Sequence, residues 1–275
     1  MKKKRSKIIS SLSVSLCILL FTIIVVSLYV TTHYEKDHIG EKVTPEHKGE
    51  IARPSKKLAI VIDDIGYDDS AIEKLLTFDI PITFSILPYC PYSEVAARKA
   101  RRAGREVILH IPMEPQGYPE KNPGEGALLI SMTRQEIEDE IQHAIDSVPF
   151  ISGANNHMGS RFMADEEKLE VVLAELKKRD LYFLDSVTTT QSKGKTAARK
   201  IGIAYGTRDI FIDNSHETEE TATTLKHIIK KQDKWETLIA IGHPYKSTLA
   251  AIEQVLPELK KNRIKVVPLS EIIRH

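Results

Sequence analysis

Six short apolar runs along this chain each stop at, or just short of, an acidic residue or a histidine, and segments with helical periodicity separate them. Leu58-Ala59-Ile60-Val61-Ile62 ends in Asp63-Asp64, and Val107-Ile108-Leu109 ends in His110. Phe150-Ile151 leads to Asn155-Asn156-His157, and Leu181-Tyr182-Phe183-Leu184 ends in Asp185. Ile210-Phe211-Ile212 ends in Asp213, and Leu238-Ile239-Ala240-Ile241 ends in Gly242-His243. In a parallel α/β fold the carboxyl ends of all strands emerge on one face, so these groups converge there. Metal ligands and acid/base groups drawn from distant sequence onto one rim describe an active site.

The bulk properties narrow the class. A formal charge of +1, with no Lys/Arg stripe outside the N-terminus, argues against a nucleic-acid binder. Cys17 lies inside an apolar run and Cys90 stands alone, so the main domain forms no internal disulfide. At the N-terminus a basic flank, residues 1–7, precedes an uncharged stretch from Ile8 to Val30. Those 23 residues would span about 34 Å as a helix, enough to cross a hydrocarbon core. The basic flank keeps the cytoplasmic side, which places everything after Val30 outside. The expectation is therefore a single-pass membrane anchor, with secretion after signal-peptide cleavage as the alternative.

Residues 31–56 are polar, contain Pro45 and Pro54, and read as a linker. From 57 to 275 strand and helix patterns alternate without a second linker, so this is one domain. Strands are expected at 57–63, 81–87, 106–111, 150–156, 181–185, 209–213, 237–242 and 264–268. Thr133-Arg134-Gln135-Glu136 has the form of a capping box, followed by Ile137, Ile141, Ala144, Ile145 and Val148 on one helical face. Asp165 opens another helix with Leu169, Val172, Leu173 and Leu176 on its buried side. The fold class is α/β. Chemical groups spread over nearly every strand favour a (β/α) barrel of about seven to eight largely parallel strands over an open sheet. The Pro- and Gly-rich stretch 111–129 is expected to form a loop over the rim.

At the end of a strand the chain turns, and both Asp63 and Asp64 can reach one site: one as a metal ligand, the other as a base. The alternative is a turn acid or helix cap, served also by Asp68 and Asp69. His110 and Glu114 are separated by Pro112, which excludes a helix there, and imidazole and carboxylate both suit Zn²⁺. His157 supplies a third candidate ligand, and Arg161 is placed to orient a carboxylate such as Asp63. His243, with an ordinary pKa near neutrality, suits a general acid. Asp185 and Asp213 complete the rim as helix caps, or as supporting or alternative metal ligands. Tyr67, Tyr89, Tyr92, Tyr118 and Tyr245 lie near rim loops, and of these Tyr118 and Tyr245 are the substrate-binding candidates, together with Asn156.

At these residues the chain resembles the divergent polysaccharide deacetylase family, a branch of the wider polysaccharide deacetylase superfamily. The resemblance covers nearly all of 57–275. It rests on Ile62-Asp63-Asp64-Ile65-Gly66, His110-Ile111-Pro112-Met113-Glu114-Pro115, the run from Asn155 to Phe162, Phe183-Leu184-Asp185-Ser186 and Ile241-Gly242-His243-Pro244. It implies a distorted (β/α) barrel of the polysaccharide deacetylase type binding a divalent metal, usually zinc. In it Asp63 acts as base, Asp64 and His110 as ligands, and His243 as general acid. The superfamily's second histidine is Glu at position 114 here, and its Arg-x-Pro-Tyr motif is missing. His157 is inferred to replace that histidine, leaving Glu114 as a supporting or alternative ligand.

Three functions compete. The leading one is a metal-dependent hydrolase that removes N-acetyl groups from a cell-envelope glycan. The second is a non-catalytic carbohydrate-binding or scaffold protein that keeps the barrel and metal site. A metal phosphoesterase is the third, although two-metal sites need more ligands than can be assigned.

Overall fold

The computed structural model describes residues 21–29 and 56–273. Residues 21–29 are helical with exposed side chains. The basic flank, most of the apolar 8–30 segment and nearly all of the 31–56 linker lie outside the described residues. No helix among the described residues is long and apolar enough to cross a membrane.

The compact unit Pro54–His275 carries all the strands among the described residues. In chain order its elements are β1 (Lys57–Ile65), α1 (Asp69–Leu76), β2 (Thr83–Ile86), α2 (Ser93–Arg102), β3 (Val107–Met113), α3 (Arg134–Ser147), β4 (Gly153–Met158), α4 (Glu166–Lys177), β5 (Tyr182–Asp185), α5 (Gly194–Ile201), β6 (Tyr205–Thr207), β7 (Ile210–Phe211), α6 (Thr218–Lys230), β8 (Thr237–Gly242), α7 (Lys246–Lys261) and β9 (Lys265–Val266). The strand order is β6-β5-β4-β3-β2-β1-β8-β7, and the paired strands run parallel. This is an α/β half-barrel, curled so that one face of the sheet is inside and the helices cover the other.

Two expected strands are present but shorter, and one strand was not expected. The strand expected at 209–213 is only the two-residue β7, and the three-residue β6 precedes it as a separate strand at the opposite end of the sheet. The strand at 264–268 is β9, which pairs with the start of β1 outside the main path. The helix signals hold. Thr133 and Glu136 form a reciprocal capping box at α3, and Asp165 caps α4 by accepting from Lys168 N at 3.0 Å.

The period-two alternation of strands builds two apolar cores on the two faces of the sheet. From β1, Leu58, Ile60 and Ile62 join the large cluster beneath the helices, whereas Ala59 and Val61 join a smaller interior cluster. Ile108, Tyr182, Leu184, Ile239 and Ile241 complete that interior from β3, β5 and β8. Two residues further along each strand, the same inward face presents Asp63, His110, Ser186 and His243. The interior is therefore apolar below and polar at the carboxyl mouth, where strand alternation places these four residues.

The C-terminal segment plugs the apolar part: Leu269 and Ile273 belong to the interior cluster. Gly206 of β6 admits it, since a Cβ there would lie 2.6 Å from the Ile273 side chain. Ile273 is 5% exposed. Its truncation to alanine should lower unfolding free energy by about 2–4 kcal/mol. Urea denaturation measures this, and an unchanged midpoint would remove the plug from the core.

Candidate metal centre

The mouth of the barrel is assembled by an irregularity in β1. Its pairing with β2 shifts register between Ile62 and Ile65, and Asp64 adopts a left-handed backbone at φ +55°. Asp63 faces inward by alternation. A regular strand would point Asp64 outward, but the bulge and the left-handed turn bring it to the same mouth. Aspartate is among the few side chains that accept this conformation readily. Across the sheet His110 and His157 both reach inward, because His110 pairs with Asn155 and Pro112 with His157 in β3 and β4. Beyond them Gly159, at φ +82°, lets the chain turn tightly against Met113.

Three atoms meet there. Asp64 Oδ1 lies 3.1 Å from His110 Nε2 and 2.9 Å from His157 Nδ1, and the two ring nitrogens are 3.2 Å apart. Although it is buried and this close to both rings, Asp64 Oδ1 receives no well-directed hydrogen bond. Ligands around a tetrahedral or octahedral ion with bonds of about 2.0–2.1 Å stand roughly 2.8–3.4 Å apart. A carboxylate with two imidazoles is also a common donor set for zinc and other divalent first-row metals. The residues fit a metal ion on both counts. Burial works against ionisation of Asp64, yet the His110 and His157 rings beside it hold its carboxyl well below the usual carboxylate range.

The supporting contacts are specific. His110 Nδ1 lies 2.7 Å from Asn155 Oδ1, which also accepts from Ser85 Oγ at 2.8 Å. Asn155 Nδ2 donates to Asp63 Oδ1 at 2.8 Å and to Ser186 Oγ at 3.2 Å. Asp63 Oδ2 stands 3.7 Å from His110 Nε2. On the other side of the mouth, His243 Nε2 is 3.9 Å from Asp64 Oδ2, and His243 Nδ1 is 3.1 Å from Asp213 Oδ1. Asp213 Oδ2 accepts from His243 N at 2.5 Å and Thr248 Oγ1 at 2.8 Å. Burial disfavours a charged His243. The Asp213 carboxylate, reinforced by Asp63 and Asp64, outweighs it and pushes the His243 pKa up to about 9.

Several expected placements are corrected. Arg161 does not orient Asp63; it donates to Glu114 Oε1 at 2.7 Å. Glu114 is buried, and its other oxygen accepts from Ile130 N at 2.7 Å. With both oxygens occupied, Glu114 holds the 114–133 loop rather than serving as an alternative ligand. Asp185 and Asp213 cap no helix and join no ligand set. Asp185 accepts from Val187 N, Ser192 Oγ and Tyr205 OH at 2.7, 2.5 and 2.8 Å. Asn156 is 1% exposed, so it is not presented to a substrate. It accepts from Ser186 N at 2.9 Å and donates to Met158 O at 2.9 Å. These bonds, with Arg208 on the Ser186 and Val187 carbonyls, clamp a turn in which β-branched Val187 sits at φ +51°. Tyr118 is half-buried in the loop after β3. Tyr245, 39% exposed, stands 5.5 Å from the His243 ring and 4.6 Å from His216 by ring centroids. Ser85, Arg208 and Thr248 were not anticipated as site residues. Asn155 and Ser186 lay within the motifs without an assigned role, and Asn155 carried the further signal of standing two before His157 on the same inward face.

Residues 60–273 match the family model described as divergent polysaccharide deacetylase. The uncharacterized protein YibQ of Escherichia coli (strain K12) is 34% identical over 218 residues, 79% of this chain and 67% of its own length. A crystal structure of an uncharacterized protein from Agrobacterium tumefaciens C58 is similar with a TM-score of 0.76 at 26% identity, covering 81% of this chain and 91% of that one. A mutant of a Bacillus anthracis CE4 family pseudoenzyme, with restored enzymatic activity, shares the fold at TM-score 0.50 and 15% identity, over 80% of this chain and 68% of that one.

Titration of the protein with Zn²⁺ should saturate at about one ion per chain, and His157→Ala or Asp64→Asn should weaken binding at least about tenfold. Glu114→Gln should bind as the wild type does. Calorimetry decides it, and loss of metal only in Glu114→Gln would move the site to the 114–133 loop.

Proposed function

The chain belongs to the divergent polysaccharide deacetylase family, and from that premise we propose a metal-dependent hydrolase that removes N-acetyl groups from a cell-envelope glycan outside the cytoplasm. The observation that carries this reading is the triangle of Asp64, His110 and His157 with a free carboxylate oxygen on one flank and a paired histidine on the other. A divalent ion such as Zn²⁺ held by the three residues supplies Lewis acidity that polarises the acetyl carbonyl and acidifies water.

This chain's own groups do the rest. Asp63 Oδ2, facing the ligands while Oδ1 is held by Asn155, takes the proton of the attacking water. The water oxygen bonds to the carbonyl carbon. The Asp213 carboxylate keeps the imidazolium of His243 charged near neutral pH and leaves Nε2–H directed at the mouth. That proton passes to the departing nitrogen as the C–N bond breaks, giving acetate and a free amine. Tyr245, partly exposed beside His243, is placed to contact the sugar.

A second reading, a non-catalytic glycan-binding or scaffold protein, is favoured by Glu114. It stands where the wider superfamily has its second histidine, and both its oxygens are engaged elsewhere. The exported location rests on the apolar 8–30 segment; a mature N-terminus upstream of Val30 supports an anchor, and one beyond it a cleaved signal.

Incubation of the zinc-loaded protein with an N-acetylated oligosaccharide should release acetate. Asp63→Asn should keep its metal and lose at least about 100-fold in turnover. Asp213→Asn should also keep its metal. Since turnover needs the protonated ring and Asp213 raises its pKa, the wild-type rate should fall as pH rises through about 9, and that limb should move to lower pH in the variant. Metal binding without acetate release would leave the binding-protein reading ahead.

A further inference from the structure

One carboxamide touches both halves of the centre. Asn155 is fully buried in β4, and its side chain spends its entire hydrogen-bonding capacity on four neighbours. Its oxygen faces His110 Nδ1 and the Ser85 hydroxyl, and its NH₂ faces Asp63 Oδ1 and the Ser186 hydroxyl. The assignment of oxygen and nitrogen is dictated by these partners. The Asp63 carboxylate only accepts, so the amide must turn its NH₂ there. The oxygen then faces His110 and requires a proton on Nδ1. A flipped amide would set its NH₂ against that N–H and its oxygen against a carboxylate.

We propose that Asn155 is a positioning residue that ties the base to the metal ligands. Its carboxamide fixes His110 with the proton on Nδ1 and the Nε2 lone pair facing Asp64 and His157, and it holds Asp63 so that only Oδ2 faces the mouth. One group thereby sets a ligand's tautomer and a base's orientation together. The two serines, donating to its oxygen and accepting from its nitrogen, reinforce the orientation without defining it, since hydroxyls adapt to either. The assignment of Asp63 as base rests on the hydrolase reading above; the tautomer of His110 and the metal affinity do not.

The two effects separate by substitution. Asn155→Asp keeps an acceptor for His110 but gives Asp63 a second carboxylate in place of its donor. Asn155→Leu removes both contacts. In metal-free protein at a pH where the rings are neutral, long-range ¹⁵N correlation NMR should find His110 protonated on Nδ1 in the wild type and in Asn155→Asp. It should find a mixture of tautomers in Asn155→Leu. Zn²⁺ affinity should fall about 10–100-fold in Asn155→Leu and stay near wild type in Asn155→Asp, whose turnover should nevertheless drop at least about 100-fold.

A wild-type His110 protonated on Nε2 would overturn the proposal, and so would unchanged affinity and tautomer in Asn155→Leu. If Asn155→Leu fails to fold, the isosteric Asn155→Asp decides alone, and a mixed tautomer there also overturns it. If the NMR and affinity results hold while the wild type releases no acetate, the hydrolase reading fails and the positioning of His110 stands.

Discussion

Two imidazole nitrogens and a carboxylate oxygen stand within 3.2 Å of one another at the barrel mouth. When His110 and His157 are neutral with their lone pairs turned inward, that convergence requires something positive among them. A buried acceptor without a donor is costly, roughly 1–3 kcal/mol for each group, and three aimed at one point repel further. Protons can relieve it in part, which is why Asp64 is held ionised beside its two rings. A divalent cation relieves it fully. The surrounding contacts all serve to keep this arrangement from relaxing: Asn155 behind His110, Asp213 behind His243, and the bulge that turns Asp64 inward.

The half-barrel makes the arrangement affordable. Inward positions below the mouth are apolar, from Ala59 and Val61 to Ile239 and Ile241, and the C-terminal Leu269 and Ile273 seal them. The polar layer therefore sits on a dry, close-packed floor, with the helices and their larger core behind each strand. Above that floor Asp64 and Val187 both take left-handed backbones, which for β-branched Val187 costs about 1–3 kcal/mol. Val187 is the less expected, and it is retained by Asp185, Asn156 and Arg208 around its turn. That turn delivers the Ser186 hydroxyl to Asn155.

Much of this was legible in the sequence wherever a property followed from strand period. Asp63, His110 and His157 lie on inward positions because alternation puts them there, and the capping signals at Thr133 and Asp165 depend only on local chain. Legibility ended where a side chain's partner is chosen by loop geometry. Arg161 follows the candidate ligand His157 closely in sequence, but the loop after β3 carries Glu114 to it rather than Asp63. Asn156 is polar and rim-proximal in sequence, yet it points away from Asn155 and is consumed by the next strand's turn. Asp213 had the look of a cap or spare ligand. Its place opposite His243 depends on β7 lying beside β8, and a run ending in an acid does not announce its neighbour in the sheet. β6 escaped because a three-residue strand leaves almost no periodic trace.

The central claim is that the three converging atoms form one cation site. Anomalous diffraction at the zinc edge, from crystals of the protein equilibrated with zinc, tests it most directly. The account predicts a strong peak within bonding distance of Asp64 Oδ1, His110 Nε2 and His157 Nδ1, with Glu114 still paired to Arg161. A peak bound through Glu114, or none at the mouth of a barrel whose three ligands remain in place, would contradict it.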